Sequence, residues 1–278
     1  VKDFEDLHRI AEQQSLTYAQ HLQSYKEEKT NLEETINKLE QGIKPFPDYV
    51  IKLQQLLTDE LFKLYPTNFQ IKILADCMEI KDPKWQNAIE GYLDKQKFYL
   101  LVPQDYYADA LRIYNQVKKE MKIYDAGLVD IKKLGKEYHN TPLDNSLAEE
   151  IETNDQEVRL YIDYLLGQVI KCEDVKLLNT YKTAITPEGM LYKNYVGRKI
   201  NPIRYLNPFI GRHSTEIQLA NNRKDLANLS KTLEETDKLY NQYRVLASYS
   251  IPNQNEINNH QERIQQYITV PSLEEELA

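Results

Sequence analysis

Basic and aromatic side chains share one segment, residues 189–215, that contains no acidic residue in a chain of formal net charge −8. Lysine and arginine can neutralise the phosphates of a nucleic acid, and aromatic rings between them can stack on its bases. The candidate DNA contacts are therefore the basic residues of this segment, Lys193, Arg198, Lys199, Arg204 and Arg212.

The aromatic residues of the same segment have a second interpretation. Aromatic side chains concentrate the binding energy of protein interfaces, so they are candidates for a dimer contact. In the alternative, the rings belong to the core or an interface and the cations only balance acidic helices. The interface candidates are Tyr192, Tyr195, Tyr205 and Phe209, and their rivals elsewhere in the chain are Trp85, Tyr92, Tyr106 and Tyr107.

The sequence carries no motif of catalysis, metal binding or nucleotide binding. Its five histidines are scattered, and none stands at metal-ligand spacing from a cysteine or another histidine. The glycine-rich loops that cradle phosphates are missing, and Ser146 has no elbow sequence or partner histidine. An acidic cluster surrounds a predicted helix start, where the helix dipole favours carboxylates. That cluster consists of Glu149, Glu150, Glu152, Asp155 and Glu157. We therefore predict no catalytic residue, no metal ligand and no cofactor within these residues.

Composition predicts a well-folded protein with much exposed helix. Only 8 glycines and 11 prolines occur among 278 residues, which argues against a loop-rich chain. We expect both cysteines to be core residues in a reducing compartment, with a disulfide as the open alternative. The sequence shows no secretory or membrane-spanning pattern, so we expect a cytoplasmic location and no membrane partner. Because Val1 opens in mid-pattern, we expect a longer protein.

Residues 1–43 are predicted to form one arm of a coiled coil. Apolar or compatible residues recur at alternating steps of three and four, which keeps one stripe facing a partner helix. A repeated step of four after Tyr18 shifts the register, and Gly42 and Pro45 are stop signals. The predicted seam consists of Phe4, Leu7, Ala11, Gln14, Tyr18, Leu22, Tyr25, Lys29, Leu32, Ile36, Leu39 and Ile43.

The same spacing returns in residues 214–278, with a break near Pro252 and a weaker helix before Pro271. Neither helix can bury its stripe alone. We expect the two arms to pair antiparallel within one chain, with Phe4 near Pro252 and Ile43 near Leu219. Pairing between chains, in either direction, is the alternative. The second seam consists of Leu219, Asn222, Leu226, Leu229, Leu233, Thr236, Tyr240, Tyr243 and Ala247.

Residues 44–213 switch between strand-like and helix-like periods. Predicted strands cover 68–80, 97–103, 122–130, 168–172 and 184–200, the last as a pair that turns near 187–189. Predicted helices cover 82–93, 105–121, 157–167 and 173–182. Because strands alternate with helices, we predict a mixed α/β domain with some parallel pairing, inserted between two antiparallel coiled-coil helices.

Local signals refine three of these helices. Asp82 is predicted to cap the first, and Thr153 with Gln156 to form a capping box before the third. The inward stripe of the second helix is predicted to consist of Tyr107, Leu111, Tyr114, Val117 and Met121.

A long helix, an α/β middle and a long returning helix together resemble the hinge region of an SMC-type ATPase. Four phrases sharpen the resemblance: KWQNAIEGYL, DNSLAEEIET, YIDYLLGQVIKCEDV and AITPEGMLYKNYVGRKINP. They are similar to divergent SMC-like subunits of the MukB, MksB and JetC class, and most similar to JetC of the Wadjet plasmid-defence system. The resemblance covers residues 65–212. The glycine-rich clusters of ordinary SMC hinges are missing here, so their dimer contacts do not transfer residue by residue.

The resemblance implies a non-enzymatic dimerisation hinge in a subunit of a DNA loop-extruding complex that restricts plasmid DNA. It implies a homodimer, contact with DNA, and kleisin, accessory and nuclease subunits that act through other parts of the protein. ATP and Mg²⁺ would bind at a head domain outside these residues. Two alternatives stay open: a stand-alone DNA-binding module that uses residues 189–215 and, ranked last, a catalytic α/β domain with helical arms.

Overall fold

A computed structural model describes residues 2–119, 122–123, 125–250 and 253–276. The chain forms two compact units, which we call the arm unit (Val1–Glu34 with Lys224–Ala278) and the central unit (Thr35–Arg223). The described helices are α1 (Lys2–Glu40), α2 (Asp48–Leu64), α3 (Gln86–Leu93), α4 (Tyr107–Val117), α5 (Ile131–Glu137), α6 (Gln156–Leu166), α7 (Arg212–Ser248) and α8 (Gln254–Glu276). The described strands are β1 (Lys72–Ile73), β2 (Glu79–Ile80), β3 (Leu100–Leu101), β4 (Leu128–Val129), β5 (Ile151–Glu152), β6 (Ile170–Lys171), β7 (Thr183–Ile185), β8 (Met190–Lys193) and β9 (Val196–Lys199).

In the arm unit, α1 and α7 pair antiparallel. The Nε2 atom of His8 lies 2.9 Å from the carbonyl oxygen of Ala247, and the ring of Tyr18 stacks on that of Tyr243 with centroids 5.6 Å apart. Residue numbers therefore rise along one helix as they fall along the other. This confirms the predicted pair of antiparallel coiled-coil helices within one chain.

The predicted seams form the more buried faces of both long helices. The fully buried seam residues are Ala11, Leu22, Ile36, Leu39, Leu229 and Thr236. Phe4 and Leu7 remain exposed, and Pro252, the predicted neighbour of Phe4, lies outside the described residues. The prediction for Ile43 is wrong: α1 ends at Glu40, the backbone turns at Gly42 with φ of +75°, and Ile43 is exposed.

The helix α8 follows α7 and extends further than predicted. The expected break near Pro252 lies outside the described residues, between the end of α7 and the start of α8. The sequence predicts that the last helix stops before Pro271, whereas α8 continues to Glu276. Proline has the helical φ angle, but it lacks a backbone donor and its ring crowds the carbonyl four residues earlier, so this continuation is locally unfavourable.

The central unit contains three small sheets. Strand β3 pairs antiparallel with β1 and parallel with β4. Strands β2 and β5 form an antiparallel pair. The third sheet has the order β6–β7–β8–β9, with β6 parallel to β7 and the other pairs antiparallel. The predicted mixed α/β class and its parallel pairing are confirmed.

Two predictions for the start of the central unit need correction. In residues 68–80 only β1 and β2 are extended, because a 3-10 helix, Leu74–Cys77, separates them. It buries Leu74 and Ala75 side by side, which a strand would place on opposite faces. The helix α2 is absent from the sequence prediction, although a stripe at helical spacing is fully buried along it. That stripe consists of Val50, Leu53, Leu57 and Leu61.

The helix caps agree with the sequence in one case and differ in another. The carboxylate of Asp82 accepts a hydrogen bond from the backbone N–H of Lys84 at 2.9 Å, as predicted. Before α6 the cap is Asp155 rather than Thr153, because the Asp155 carboxylate accepts from the N–H of Glu157 at 2.9 Å.

The inward face of α4 is rotated from the predicted one. Ala110 and Ile113 are its buried residues, whereas Leu111 is 45% exposed. The predicted stripe starts from Tyr107, which is only partly buried, whereas Ala110 is buried in one cluster with residues of α2. Met121 lies outside the described residues.

Two buried clusters hold the central unit together. One packs α3 and α6 against β7 and β8, and the other packs α2 and α4 against β1 and β3. Burial of apolar surface is the main driving force for the packing of both clusters, and it contributes roughly 25 cal/mol per Å² to the stability.

Cys172 is buried and Cys77 half-buried, and both are free thiols. Burial raises the pKa of Cys77 to about 11, so its thiol is protonated at neutral pH.

Candidate functional site

The acid-free segment folds into β8, β9, a 3-10 helix (Pro202–Arg204) and the start of α7. The single predicted turn near 187–189 is one of two: Gly189 precedes β8 with φ of +84°, and Asn194 and Tyr195 join β8 to β9 with φ of 53° and 63°. A two-residue turn with both φ angles positive matches the strand twist. Asparagine tolerates this region, whereas a tyrosine held there is strained by about 1 kcal/mol.

The four aromatic candidates lie in three different environments. Tyr195 is 94% exposed at the tip of the β8–β9 turn. Tyr192 is half-buried and packs against a small cluster around Cys172. Tyr205 is only 8% exposed, and Phe209 stacks on Phe46 with centroids 5.9 Å apart. Tyr205 and Phe209 therefore stabilise the core, and Tyr195 and part of Tyr192 lie at the surface.

Two large apolar residues that the sequence analysis missed are exposed in the same segment. Ile203 is 79% exposed in the 3-10 helix, and Leu206 is 59% exposed just after it. Pro202 and Pro208 flank this short stretch, which has no strand or helix period, so the sequence carries no clear signal of their exposure.

The five candidate cations also separate. Arg204 Nη1 lies 3.0 Å from Asp94 Oδ2, and the backbone N–H of Arg212 donates to Glu79 Oε2 at 2.8 Å. Lys199 donates to the carbonyl oxygen of Glu188. Lys193 Nζ lies 3.0 Å from the Tyr92 hydroxyl and 5.1 Å from the centre of its ring. Arg198 is exposed and forms no ion pair with a carboxylate of the described residues.

Three of these cations meet in one cleft of about 430 Å³, which we call the basic cleft. The third sheet provides one wall with Lys193 and Arg198, α3 provides Tyr92, and α6 provides Tyr164. Arg204 also lines the cleft. Lys199 and Arg212 do not, because alternate residues of a strand point to opposite faces and Arg212 begins α7. The sequence identified the residue types, but the folded chain decides which of them converge.

A buried ion pair, absent from the sequence analysis, fixes the backbone in the second half of this segment. Lys97 Nζ lies 2.6 Å from Glu90 Oε2, with side chains 4% and 0% exposed. Glu90 Oε1 accepts hydrogen bonds from the N–H groups of Phe209 and Ile210 at 2.6 and 2.7 Å. Lys97 donates to the carbonyl oxygen of Arg204 at 2.9 Å. The pair therefore ties α3 to residues 204–210.

The four rival aromatic candidates all lie in the central unit. Trp85 is buried in the core, and Tyr107 is partly buried on α4. Tyr106 packs against Tyr65 and Phe69 with centroids 4.8 and 5.1 Å apart. Tyr92 lines the basic cleft.

The acidic cluster and the other chemical candidates form no catalytic arrangement. Lys171 Nζ lies 3.3 Å from Glu149 and 2.5 Å from Glu150, and Asp155 caps α6. The Ser146 hydroxyl is buried without a hydrogen-bond partner among the described residues. Within the described ranges, no group of three or more His, Cys, Asp or Glu side chains could hold a metal ion. No helix in that part of the chain has both the length and the apolar character to cross a membrane.

No protein-family model and no curated protein matches the sequence. Solved structures of SMC hinge domains are similar at low identity. The asymmetric dimer of the Geobacillus stearothermophilus SMC hinge domain is 16% identical, with a TM-score of 0.43, over 89% of this chain and 99% of that one. The Pyrococcus furiosus Smc hinge domain with an extended coiled coil is 16% identical, with a TM-score of 0.41, over 100% of this chain and 97% of that one. The Pyrococcus furiosus SMC hinge domain is 18% identical, with a TM-score of 0.39, over 54% of this chain and 86% of that one. Scores of this size by themselves assign neither family nor function.

Proposed function

We propose that this chain is a dimerisation hinge with its flanking coiled coil, from an SMC-like subunit. One observation carries the proposal: the central unit is an insert whose two ends meet. Arg223 Nη2 donates to Glu40 Oε1 at 2.8 Å, although the residues are 183 positions apart. Force on a pair of helices acts on a domain inserted between them, because the chain enters and leaves that domain at adjacent points. A domain that joins two such helix pairs needs a self-complementary surface.

The dimer surface is proposed around β9 and the residues next to it. β9 forms one edge of its sheet, and an edge strand offers unpaired backbone groups to another chain. Tyr195 and Val196 are exposed at the start of this strand, and Ile203 and Leu206 follow it. Backbone strain at the exposed Tyr195 supports the choice, since strained residues persist where function needs them.

We also propose which complex this hinge serves, from the four sequence stretches that resemble the MukB, MksB and JetC class. The hinge would belong to a Wadjet-type complex that extrudes DNA loops and restricts plasmid DNA, with kleisin, accessory and nuclease subunits as partners. In that assembly the hinge itself performs no catalysis. ATP and Mg²⁺ would act at the head domain of the subunit.

Sedimentation of a charged variant tests the dimer surface. Ile203→Glu places a carboxylate in the proposed contact, so we expect the dimer to dissociate at concentrations where the parent chain remains dimeric. Leu111→Glu is the matched control, because Leu111 is also an exposed apolar residue of the central unit but lies on α4. An Ile203→Glu chain that dimerises as tightly as the Leu111→Glu chain would rule out this surface.

A second candidate function, DNA binding by residues 189–215, is favoured by the exposed, unneutralised Arg198. Charge reversal of Arg198, Lys199 and Arg204 together should weaken DNA binding and flatten its salt dependence, because fewer counterions are released. Unchanged affinity with an unchanged salt slope would remove this function.

A further inference from the structure

The basic cleft is electrostatically unlike another cavity of the central unit. Its lining holds three cations and, within the described residues, no carboxylate. The other cavity, about 510 Å³ in volume, is lined by four carboxylates and a single cation, Lys72. Asp94 pairs with Arg204 from outside the lining, so Lys193 and Arg198 supply most of the local positive potential in a chain of net charge −8. The cleft is therefore suited to an anion.

The cations of the cleft are arranged to bind an anion with several oxygens. Lys193 is held against the hydroxyl and ring of Tyr92, and Arg204 is held by Asp94. Arg198 has no carboxylate partner among the described residues, so its guanidinium fork is available. Such a fork binds two oxygens of one phosphate in parallel, which a lysine ammonium does not.

The opposite wall supplies a flat ring and amide groups. Tyr164 is half exposed, and its ring is fixed by stacking on Tyr161 at 6.2 Å and by an edge contact with Tyr138 at 5.4 Å. The amide side chains of Gln96 and Gln168 also line the cleft. An aromatic face beside amides can stack on a nucleobase and hydrogen-bond to its edge.

We propose that the basic cleft binds a nucleotide, with its phosphate at Arg198, Lys193 and Arg204 and its base against Tyr164. The cleft volume of about 430 Å³ falls in the range of roughly 300–1,000 Å³ that small-ligand sites occupy. Two ligands present this combination of a phosphate and a base: a free nucleotide and one nucleotide unit of single-stranded DNA. The inference is separate from dimerisation and narrows the second candidate function, DNA binding by residues 189–215, to one cleft; the monophosphate probe distinguishes failure of the one from failure of the other.

Titration of the full chain with three probes tests the proposal. The probes are thymidine 5′-monophosphate, a fluorescein-labelled single-stranded oligo-dT and inorganic phosphate. Arg198→Glu should weaken binding of the nucleotide probes about tenfold or more, because it replaces the phosphate donor with a like charge. Lys52→Glu is the matched control: it makes the same charge change at an exposed residue of α2 that does not line the cleft, and it should leave binding nearly unchanged. Tyr164→Ala should weaken binding of the nucleotide probes but not of phosphate.

The pattern of binding distinguishes a free nucleotide from single-stranded DNA and identifies the results that contradict the proposal. Binding of the monophosphate assigns the cleft to free nucleotides, and binding of oligo-dT alone assigns it to single-stranded DNA; either result supports the proposal. Three results overturn it: equal losses in the Arg198 and Lys52 variants, phosphate binding as tight as nucleotide binding, or no binding of any probe. Circular dichroism checks the fold of each variant, and Tyr164→Ala decides if Arg198→Glu does not fold. Light scattering on the same samples reports dimerisation separately.

Discussion

At the scale of single residues, the Glu90–Lys97 pair shows how a buried charge can position backbone. Both side chains lie in the core, where an unpaired ion is strongly unfavourable. Glu90 accepts two N–H groups of Phe209 and Ile210, so this one carboxylate satisfies backbone donors that would otherwise be buried without partners. The pair therefore specifies where the chain runs before α7.

Removing Lys97 should destabilise the central unit severely. Lys97→Met leaves Glu90 without its counter-charge, and the free energy of unfolding should fall by about 3–5 kcal/mol. Lys95→Met is the matched control, because the Lys95–Asp125 pair is exposed, and this change should barely alter stability. Urea denaturation followed by circular dichroism measures both variants. Similar losses in the two variants would show that the buried pair has no special role.

The cap of α6 should make stability depend on pH. Burial alone raises the pKa of Asp155, but hydrogen bonds from Lys72 and from the N–H groups of Val158 and Glu157 outweigh it and hold that pKa below its ordinary value. A lowered folded-state pKa means that the stabilisation is complete above the unfolded pKa of about 3.9 and is lost as pH falls through the folded-state pKa. The stability advantage over Asp155→Asn should therefore be constant near neutral pH and vanish in acid. An advantage that persists in acid would contradict the assigned interactions.

At the scale of elements, the two arms depend on one stripe each. The 3-4 spacing predicts their buried faces, because a supercoiled pair repeats every seven residues regardless of the rest of the sequence. The β8–β9 hairpin is the contrasting case. Its turn places a large aromatic residue, Tyr195, at a positive φ that local preference disfavours.

The seam should be energetically distinct from other apolar positions of α1. Leu22 is buried, so Leu22→Ala should lower the stability of the arm unit by about 2–3 kcal/mol, through lost burial and a residual cavity. Leu16 is 64% exposed, and Leu16→Ala should change stability by less than about 0.5 kcal/mol. Thermal unfolding of the two variants gives the comparison. Equal effects would contradict the register of the pair.

The hairpin turn offers a test in which stability and association change in opposite directions. Tyr195→Gly removes the strain of a side chain at positive φ and should stabilise the central unit by up to about 1 kcal/mol. The same change removes an exposed ring from the proposed contact and should weaken the dimer. Asn194→Gly is the control, since it relaxes the same turn without removing an aromatic residue. Denaturation and sedimentation measure the two properties, and a Tyr195→Gly chain with unaltered association would exclude that ring from the contact.

At the scale of the whole molecule, the order of units along the chain explains the architecture. The central unit is an insert between two segments that pair with each other, and its own ends are joined by Arg223 and Glu40.

The arms and the fold class follow from the sequence because they depend on long, regular spacing. The short strands do not, since two-residue strands such as β1 and β6 leave too little alternation to detect. The helix α2 is different, because its buried residues do recur at helical spacing and the sequence is sufficient to predict it.

The candidate site is predictable in composition but not in geometry. Residues 189–215 contain the exposed ring and the cations, but sequence alone does not separate the buried Tyr205 from the exposed Tyr195. That distinction depends on Gly91 of α3. A Cβ atom there would lie 3.1 Å from the Tyr205 ring, so glycine allows α3 to pack closely against it. Such long-range packing leaves no local pattern.

Light scattering on the full chain across a range of concentrations shows whether it dimerises in solution. We expect a mass of twice 32.8 kDa that falls to the single-chain value in Ile203→Glu. A parent chain that stays at 32.8 kDa at every concentration would contradict it.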